Sequence, residues 1–387
     1  MRLAYVVNRF PALSETFVSR EVRALRALGA EIDAYAFRAP SAADLARMDP
    51  ETRALAAETE VLGVEPPPLA VLGQAPEAFA SNARFRHPSS AWGRVGKAFA
   101  LARRIAARPP HRMHAHWPYA TMVTHLASGL TGVPYSASVH AHEVAHENGH
   151  FAECFRRLDW AAFCNRAAMD HLLARLPPEA AAKAHLVYHG VETARFRPLA
   201  LPERADPFRV LSAGRLTATK GFDRLVRACA LARGRGAPVR LAVLGRGDHE
   251  GAIRRAAAEA GFADHLELPG WVPHAEVPQW LARSHVFALP ASVGFHDGLP
   301  NVVLEAMSSA RPVVLSPLPA AREAVASGVE GVILDSAEDV EGLARALVRL
   351  HASPEALARM AAAARARAAR DHDAGALVRR LYALHAA

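Results

Sequence analysis

The sequence predicts two α/β domains, each built around a parallel β-sheet. At ~100–200 residues per domain, a chain of 387 residues suits two such units. Short apolar segments typical of buried strands alternate with helical segments, and a Pro-rich polar stretch at 198–207 interrupts the alternation once. We therefore expect domains at 1–197 and 198–387, with the last helices packing back on the N-terminal domain.

The first domain opens with a βαβ unit. A strand at Leu3–Val7 precedes a helix at Glu15–Leu28, for which Ser14 is the expected N-cap, and a second strand follows at Ile32–Phe37. Residues 60–92 are predicted to be loop, and 92–108 a basic helix. Helices are also expected through Leu130 and after Asn165, and the remaining strand-like segments are Arg112–Trp117, Tyr135–Val139, Trp160–Cys164 and Leu186–Tyr188.

The second domain repeats the alternation, and its tail from Val340 is helical. Its predicted strands are Phe208–Ala213, Val239–Leu244, His265–Leu268, Val286–Leu289 and Val313–Leu315. The helices between them are Phe222–Ala232, Glu250–Ala260, Ala275–Ala282 and a segment through Glu305. Because ligands of parallel α/β sheets bind beyond the carboxyl ends of the strands, the loops that follow strands are where we expect binding residues.

Composition excludes several classes of protein. Hydrophobic residues make up 51% of the chain, which is enough to bury sizeable cores and excludes global disorder. No apolar run approaches the ~18–20 residues that span a bilayer, and the first residues lack the apolar core and cleavage site of a signal peptide. Three cysteines make no disulfide framework. We therefore expect a cytoplasmic protein.

Positive charge is concentrated in one stretch of the chain. The sequence has 46 Lys plus Arg and 38 Asp plus Glu, a formal charge of +8. Residues 78–142 contain eight basic residues and no acidic one, so the rest of the chain carries 38 of each and is formally neutral. A patch this local predicts an anionic partner at one place.

The basic helix at 92–108 has two interpretations. Trp92, Val95 and Phe99 recur at helical spacing with arginines elsewhere on its surface, a pattern typical of elements that lie on anionic membranes. A packed helix with a solvated cationic face has the same pattern. Nucleic acid is not the expected anion, because no helix-turn-helix, zinc-finger or aromatic-stacking pattern is present.

Two segments of the second domain have the composition of a phosphate and sugar site. The loop Gly214–Gly221 follows a strand and opens a helix, and its Arg215 and Lys220 suit a diphosphate at a helix N-terminus. In 297–305, Asp297 and Glu305 supply carboxylates that accept hydrogen bonds from sugar hydroxyls. The turn Gly245–Arg246–Gly247 follows another strand but lacks the spacing of a dinucleotide fingerprint.

The segment HEVAH at 142–146 matches the zinc-protease pattern HExxH. The extended pattern needs a third histidine at Ala152, and the motif belongs inside a helix, whereas here it follows a predicted strand directly. A zinc metalloprotease-like protein is therefore kept only as an alternative, which an assay for bound metal would decide.

Taken in order, four segments resemble the retaining glycosyltransferases of the GT-B fold known as glycosyltransferase family 4. They are VYHGVETARFRP (187–198), GRLTATKGFDRL (214–225), LPGWVPHAEVPQWLARSHVFALPA (268–291) and DGLPNVVLEAMSSARPVV (297–314). FPALSETF (10–17) and HAHE (140–143) further resemble the subgroup that builds capsule, colanic-acid-like and other exopolysaccharides. The resemblance implies two Rossmann-like domains whose parallel sheets face an inter-domain cleft, the first binding acceptor and the second binding nucleotide sugar.

The resemblance also implies roles for individual residues. Arg215 and Lys220 would neutralise the donor diphosphate, Glu305 would bind the ribose hydroxyls, and Asp297 would contact the donor sugar. His140 would lie near the reacting face of that sugar. The other implied donor contacts are Gly214, Gly245, Arg246, Trp271, Val272, Gly298, Leu299, Pro300, Asn301 and Val302. No metal or other cofactor is implied.

Three departures from the family pattern are visible. Asp297 stands where most members have Glu, and Glu192 replaces the usual Asp after His-Gly-Val. Ser14 and Glu15 occupy the first strand–helix loop in place of a Gly-rich turn, and their diphosphate or acceptor contact is left open.

The resulting prediction is a retaining glycosyltransferase that moves a hexosyl group from a nucleoside-diphosphate sugar to a saccharide or lipid-diphosphate-linked acceptor in surface polysaccharide biosynthesis. It would be cytoplasmic, with peripheral membrane contact through 92–108 as an open alternative. A non-catalytic module that only binds sugar nucleotide is the other alternative.

Overall fold

The chain forms two compact units, each with one parallel sheet. The computed structural model describes residues 1–13, 15–74, 76–85, 89–140, 144, 150–203, 207–292 and 298–387. The first unit consists of Met1–Tyr188 together with Gly375–Ala387, and the second of His189–Ala374.

The sheet of the first unit has seven strands in the order β3-β2-β1-β4-β5-β6-β7. They are β1 (Arg2–Arg9), β2 (Glu31–Arg38), β3 (Glu60–Val61), β4 (Arg112–His116), β5 (Tyr135–Val139), β6 (Ala161–Phe163) and β7 (Ala184–Leu186). In β1 every side chain from Leu3 to Val7 is buried, as expected for a parallel strand covered on both faces. The winding reverses between β1 and β4, which makes this pair the switch point of the sheet.

The helices of the first unit include the four that the sequence predicts, together with others that it does not. They are α1 (Thr16–Ala27), α2 (Ala42–Arg47), α3 (Pro50–Glu58), α4 (Leu69–Gln74), α5 (Pro76–Arg84), α6 (Ala91–Ala107), α7 (Pro118–Thr131), α8 (His150–Phe155) and α9 (Arg166–Leu173), followed by a 3₁₀ helix at Pro178–Lys183. The prediction of loop at 60–92 was wrong, because α4, α5 and the short strand β3 occupy much of it. Glu15 is the N-cap residue of α1 and makes no side-chain cap, while the expected cap Ser14 lies outside the described residues.

The sheet of the second unit has six strands in the order β10-β9-β8-β11-β12-β13. They are β8 (Phe208–Ala213), β9 (Val239–Leu244), β10 (Leu266–Gly270), β11 (Val286–Leu289), β12 (Val313–Leu315) and β13 (Gly331–Ile333). The helices are α10 (Phe222–Gly234), α11 (Glu250–Glu259), α12 (Val277–Ala282), α13 (Asn301–Ser308), α14 (Pro319–Ala324), α15 (Val340–Ala352) and α16 (Pro354–Asp371), with 3₁₀ turns at Ala218–Lys220 and Ala263–His265. Its switch point is the pair β8 and β11.

The chain passes between the units at Tyr188, ahead of the predicted linker at 198–207. Residues after Tyr188 belong to the second unit because they bond to the end of α16: Val191 N donates to His372 O, and Ala374 N donates to Val191 O. The last helix, α17 (Ala374–Ala386), lies almost wholly in the first unit. There the Arg112 guanidinium donates to the carbonyls of Leu384 and His385.

Among the residues that the structure describes, no helix combines the length and the apolar character required to cross a bilayer.

Candidate functional site

The loops that follow β8, β9 and β10 are bonded to one another at the carboxyl edge of the second sheet. Gly214 N donates to Leu244 O, Leu216 N to Arg246 O, and Gly245 N to Gly270 O. Gly245 has a φ of 144°, and a Cβ on it would lie 1.9 Å from Gly214 O. Only glycine permits this close layering of backbone, so the turn Gly245–Arg246–Gly247 is structural support for the loop Gly214–Gly221.

The loop Gly214–Gly221 holds two cations at the switch point of the sheet. Arg215 is exposed, and Lys220 ends the 3₁₀ turn directly before α10. Gly221 adopts φ 68°, and a Cβ there would lie 2.3 Å from Pro290 O, so this loop contacts the one that follows β11. Ser292 N donates to Thr219 O at 2.7 Å, and the Arg224 guanidinium donates to Pro290 O and Ser292 Oγ. The two loops of the switch point are therefore fixed together.

The second of these loops leads into a helix that carries a buried carboxylate. Pro300 is the N-cap residue of α13, and Glu305, only 6% exposed, lies one turn inside it. Its Oε1 is 2.8 Å from Nε2 of His274, which comes from the segment after β10. The segment Gly298–Val302 precedes and opens this helix at the end where backbone N–H groups bind anions. Asp297 lies outside the described residues.

His274 is a site residue that the sequence did not predict. It stands within the family-like segment 268–291, three residues after Trp271, and its ring lies 5.4 Å from that of Phe196. The available signal was a histidine that follows a predicted strand, at the carboxyl edge of the sheet where ligands bind. Trp271 and Val272, in contrast to His274, were predicted from the sequence, as part of a pocket for the nucleotide base. Trp271 is 39% exposed, and Val272 is partly buried against the core of the second unit.

A second cluster of polar side chains lies at the switch point of the first sheet. His140 follows β5 directly and is buried, with Nε2 3.4 Å from Nδ1 of His116 at the end of β4. The Trp117 ring stacks on His140 with centroids 4.3 Å apart, and its Nε1 donates to Glu15 at 3.0 Å. Burial raises the pKa of Glu15 despite that hydrogen bond. The predicted residues His140 and Glu15 are thus joined through Trp117.

A buried network lies behind this cluster and was not predicted from the sequence. The Tyr5 hydroxyl donates to Glu21 at 2.7 Å, and Nε2 of His116 lies 3.2 Å from the same carboxylate. The ring nitrogens of His114 lie 2.8 Å from Ser136 Oγ and 3.0 Å from Ser138 Oγ. Burial raises the pKa of Tyr5 and lowers that of His114. The pattern His-x-His in a strand, which places both rings on one face, was the signal for it.

The same network tests whether these side chains would hold a metal. Glu21, His114 and His116 each have a ligand atom within 4.8 Å of the others. Both nitrogens of His114 already have serine hydroxyl partners, and His116 bridges Glu21 and His140. The donor set therefore fits a hydrogen-bond network that orients His140 better than it fits a metal ion.

The protease-like segment HEVAH contributes little to the described structure. Of positions 142–146 only Val144 is described, and it is buried in the core of the first unit. His142, Glu143 and His146 lie outside the described residues. The strand β5 does end at Val139, directly before this stretch.

The basic helix α6 is largely neutralised by carboxylates from other elements. Arg94 is buried and bonded to Asn82 and Ser89. The arginines of its outer surface form salt bridges with acidic residues of 31–65: Arg103 with Glu65, Arg104 with Glu60 and Glu65, and Arg108 with Glu31 and Asp33. Residues that are far apart in sequence thus cancel much of the charge that the local count assigned to this helix.

Comparison with known proteins confirms the resemblance that the motifs predict. Residues 197–367 match the family model "Glycosyl transferases group 1". The chain is 28% identical over 190 residues to the amylovoran biosynthesis glycosyltransferase AmsK of Erwinia amylovora, covering 48% of this chain and 46% of that protein. It is 32% identical over 246 residues to a GDP-mannose-dependent alpha-(1-6)-phosphatidylinositol monomannoside mannosyltransferase of Mycolicibacterium smegmatis, covering 59% and 64%. The aligned regions thus span about half to two thirds of these relatives.

Solved structures agree with the fold over the whole chain. Anabaena Alr3699/HepE in complex with UDP has a TM-score of 0.78 at 17% identity, with 100% of both chains covered. The apo form of the lipopolysaccharide outer core galactosyltransferase WaaB has a TM-score of 0.72 at 16% identity, again with 100% of both chains covered. The predicted GT-B class, with two Rossmann-like parallel sheets, is confirmed.

Proposed function

We propose that this protein is a retaining glycosyltransferase that moves a hexosyl group from a nucleoside-diphosphate sugar to a saccharide or lipid-linked saccharide during surface polysaccharide synthesis. One observation carries the proposal. Arg215 and Lys220 lie in a loop that is bonded at the switch point to the loop leading into the helix of Glu305. Cations on one of these loops and a carboxylate on the helix that the other loop opens suit a ligand with a charged diphosphate at one part and hydroxyl groups at another.

The donor half of the mechanism follows from these residues. Arg215 offers a guanidinium fork and Lys220 a point charge to the diphosphate, and the N-terminus of α13 adds backbone N–H groups around Leu299–Val302. His274 contacts one oxygen of Glu305, so the carboxylate is held in place and its second oxygen can accept a hydrogen bond from a ribose hydroxyl. Trp271 and Arg246 supply the walls for the base. Asp297 is proposed to contact the donor sugar.

The transfer itself is proposed to occur on one face of the sugar. The bond between the anomeric carbon and the diphosphate oxygen breaks, and its electron pair leaves with the phosphate. The acceptor hydroxyl oxygen bonds to the anomeric carbon and its proton passes to the departing phosphate oxygen. Arg215 and Lys220 stabilise the charge that develops, each such group contributing about 2–4 kcal/mol. His140, oriented by His116 and Trp117, is proposed to lie at the reacting face.

The acceptor class is supported by the names of similar proteins. AmsK is an amylovoran biosynthesis enzyme, and WcaL of Salmonella typhimurium, 28% identical over 212 residues, is a putative colanic acid biosynthesis glycosyltransferase. The mycobacterial relative is named for a phosphatidylinositol mannoside. These names favour a polysaccharide or a lipid-linked acceptor. The donors of similar proteins differ: the mycobacterial mannosyltransferase is named as GDP-mannose-dependent, whereas HepE was solved in complex with UDP-glucose.

Release of nucleoside diphosphate from a panel of UDP- and GDP-sugars tests the proposal. One sugar nucleotide should be turned over by the native chain. Arg215→Ala should lower the rate at least about 100-fold, because it removes a positive charge that is proposed to stabilise the departing diphosphate. Arg227→Ala is the matched control, because Arg227 is exposed and pairs only with Glu259 in the described part of the chain. Donor binding without release would instead favour a non-catalytic module, and equal rates for both variants would refute the assignment of Arg215.

The stereochemistry and the metal requirement are tested on the same reaction. Proton NMR of the product should show the anomeric configuration of the donor, and an inverted product would refute the single-face mechanism. We also propose that Arg215 and Lys220 supply the charge that a metal provides in other enzymes, so addition of EDTA should leave the rate unchanged. Loss of activity on chelation, restored by a divalent cation, would contradict this.

A further inference from the structure

A cavity of about 540 Å³ opens in the first unit where β1 and β2 end. Its wall includes Asn8, Arg9, Glu15, Arg38, Lys97 and Tyr119. The volume falls within the ~300–1,000 Å³ of small-molecule sites. The proposed mechanism uses none of these residues.

Two arginines are held side by side at the mouth of this cavity. Arg9 is the last residue of β1, Arg38 is the last of β2, and the two are paired partners in the parallel ladder. Both are exposed. Like charges on neighbouring strand positions repel each other, and an anion bound between them would offset that repulsion.

A third cation reaches the cavity from the basic helix. The Lys97 ammonium lies 4.6 Å from the ring centroid of Phe37 and 5.5 Å from that of Tyr119, so two aromatic rings hold it in place. Burial, and then the charge of Arg38, lower the pKa of Lys97. An anion in the cavity would offset both effects.

These three cations differ from the other basic residues of the same region. Arg103 and Arg104 on α6, and Arg108 directly after it, all have carboxylate partners. Within residues 1–13, 15–74, 76–85 and 89–140, no salt bridge is formed by Arg9, Arg38 or Lys97. The cations at this cavity are therefore less neutralised by carboxylates than the arginines on the outer face of α6, and of the three only Lys97 belongs to the basic stretch 78–142.

The cavity adjoins the residue proposed to lie at the reacting sugar. Glu15 lines the cavity and accepts a hydrogen bond from Trp117 Nε1, and the Trp117 ring stacks on His140. A ligand that fills the cavity would therefore lie beside the Glu15–Trp117–His140 cluster.

We propose that this cavity binds a phosphoryl group of the acceptor, with Arg9, Arg38 and Lys97 as its cationic ligands. The guanidinium forks match phosphate oxygens, and three cations exceed what a single carboxylate would need. That the ligand is an acceptor rests on the proposed function, whereas the anion binding does not.

Binding of four probes to the full chain tests the proposal by titration calorimetry at low salt. Octyl phosphate should bind at least about ten-fold more tightly than octyl glucoside, as charge-assisted hydrogen bonds predict. Tighter binding of octyl glucuronide would assign the cavity to an acidic sugar and overturn the phosphoryl assignment. Inorganic phosphate that binds as tightly as octyl phosphate would assign it to free phosphate and overturn the acceptor.

Three variants locate the site. Arg38→Gln and Lys97→Gln should each weaken octyl phosphate about ten-fold, while Arg103→Gln, on the same helix but paired with Glu65, should not. Arg9→Gln, at an exposed strand end, serves as an additional cavity variant should Lys97→Gln not fold, and melting temperatures verify folding. Unchanged binding in the folded cavity variants would overturn the site.

Arg215→Ala separates this proposal from the proposed function. If it abolishes octyl phosphate binding while Arg38→Gln does not, the probe occupies the diphosphate site of the second unit and the cavity assignment is wrong. If binding depends on Arg38 but no sugar nucleotide is turned over, the glycosyltransferase proposal fails while the anion cavity stands. The titration needs neither donor nor turnover, so the two results are independent.

Discussion

Gly245 is the residue on which the close packing of the loops after β8 and β9 depends. Its φ of 144° lies in the region that favours glycine, and a Cβ would overlap Gly214 O at 1.9 Å. Gly245→Ala should therefore destabilise the second unit by about 2–4 kcal/mol and abolish nucleotide binding. Gly234→Ala is the control, because nothing lies within 4 Å of its added Cβ at the end of α10. Urea unfolding and calorimetry would measure both; a stable, binding-competent Gly245→Ala protein would contradict the layered geometry.

Glu305 is the residue whose role can be separated most cleanly from folding. Glu305→Gln keeps the size of the side chain but replaces the charged group that is proposed to accept hydrogen bonds from the ribose hydroxyls with a neutral amide. Because a hydrogen bond to a charged group is worth about 1.5–3 kcal/mol, the dissociation constant of the donor nucleotide should rise at least ten-fold. Glu259→Gln, exposed on α11, should leave it unchanged. Equal affinities by calorimetry would remove Glu305 from the nucleotide site.

At the scale of elements, the proposed donor site could be predicted because each of its two segments is continuous in sequence. The loop Gly214–Gly221 and the segment 297–305 each follow one strand, and parallel sheets bring such loops to one edge. His274 was missed because its partner Glu305 is 31 residues away, and that proximity depends on the packing of two loops. The Tyr5–Glu21–His116 network was missed for the same reason, since it joins β1, α1 and β4.

The basic helix shows the limit of counting charge along the chain. Its helical span was predicted to within one residue at each end, from 92–108 against the observed Ala91–Ala107. The neutralisation of its positive charge was not predicted, because Arg104 pairs with Glu60, which lies 44 positions earlier in the sequence. The helices in 69–84 were missed because they are short, and because α4 contains Gly73 and α5 contains Ser81 and Asn82, so packing rather than propensity stabilises them.

Helix α5 is fixed to α8 by a bidentate ion pair. Arg84 donates to both oxygens of Glu153, Ser81 Oγ donates to one of them, and the pKa of Glu153 falls to about 2. Because the folded-state pKa is lowered, this stabilisation is fully present above pH 4.5 and is lost as the pH falls towards 2.

Glu153→Gln should therefore lower the free energy of unfolding by about 2–3 kcal/mol at pH 6. The difference from the native chain should shrink as the pH falls below 4.5, because the Glu153 carboxyl of the unfolded chain then gains a proton, whereas the folded chain, in which its pKa is about 2, does not. Urea unfolding between pH 3.5 and 6 measures it. Glu77→Gln, which removes an exposed partner of Arg157, should show no such trend. A difference that does not change with pH would mean that the ion pair is not what stabilises the contact.

At the scale of the molecule, both units place their functional side chains by the same rule. Each winds outward from a central strand, reverses, and leaves the loops of the two central strands side by side. In the second unit those loops carry Arg215 and the segment leading to Glu305, and in the first they carry Glu15 and Trp117. The repeated alternation of the sequence predicts this plan, whereas the particular residues that α17 contacts in the first unit depend on packing that no local pattern records.

Those returning residues place a histidine in the core of the first unit. His385 is 4% exposed, and its ring lies 4.9 Å from those of His114 and Trp160 and 6.2 Å from that of Tyr5. Within the described residues neither ring nitrogen has a hydrogen-bond partner. Burial, then the charges of Arg112 and His116, lower the pKa of His385 to about 3. The ring is therefore neutral when α17 is docked and gains a proton when it is released below pH 6.5.

Because the pKa of His385 is lower in the docked state than in the released state, docking of α17 should weaken as the pH falls below 6.5. The loss is about 1.4 kcal/mol per pH unit for a fully buried histidine. Hydrogen exchange of peptides from β4 and α17, corrected for the intrinsic rate, should show loss of protection between pH 6.5 and 5, with peptides of β8 and β9 as the internal reference. His385→Leu fills the same apolar site with a side chain that has no polar atom, so its protection should be at least equal at pH 7 and depend less on pH. His114, whose pKa burial also lowers, retains part of the dependence in the variant. Identical pH profiles for the native and His385→Leu chains would show that the C-terminal helix is not held by an uncharged histidine.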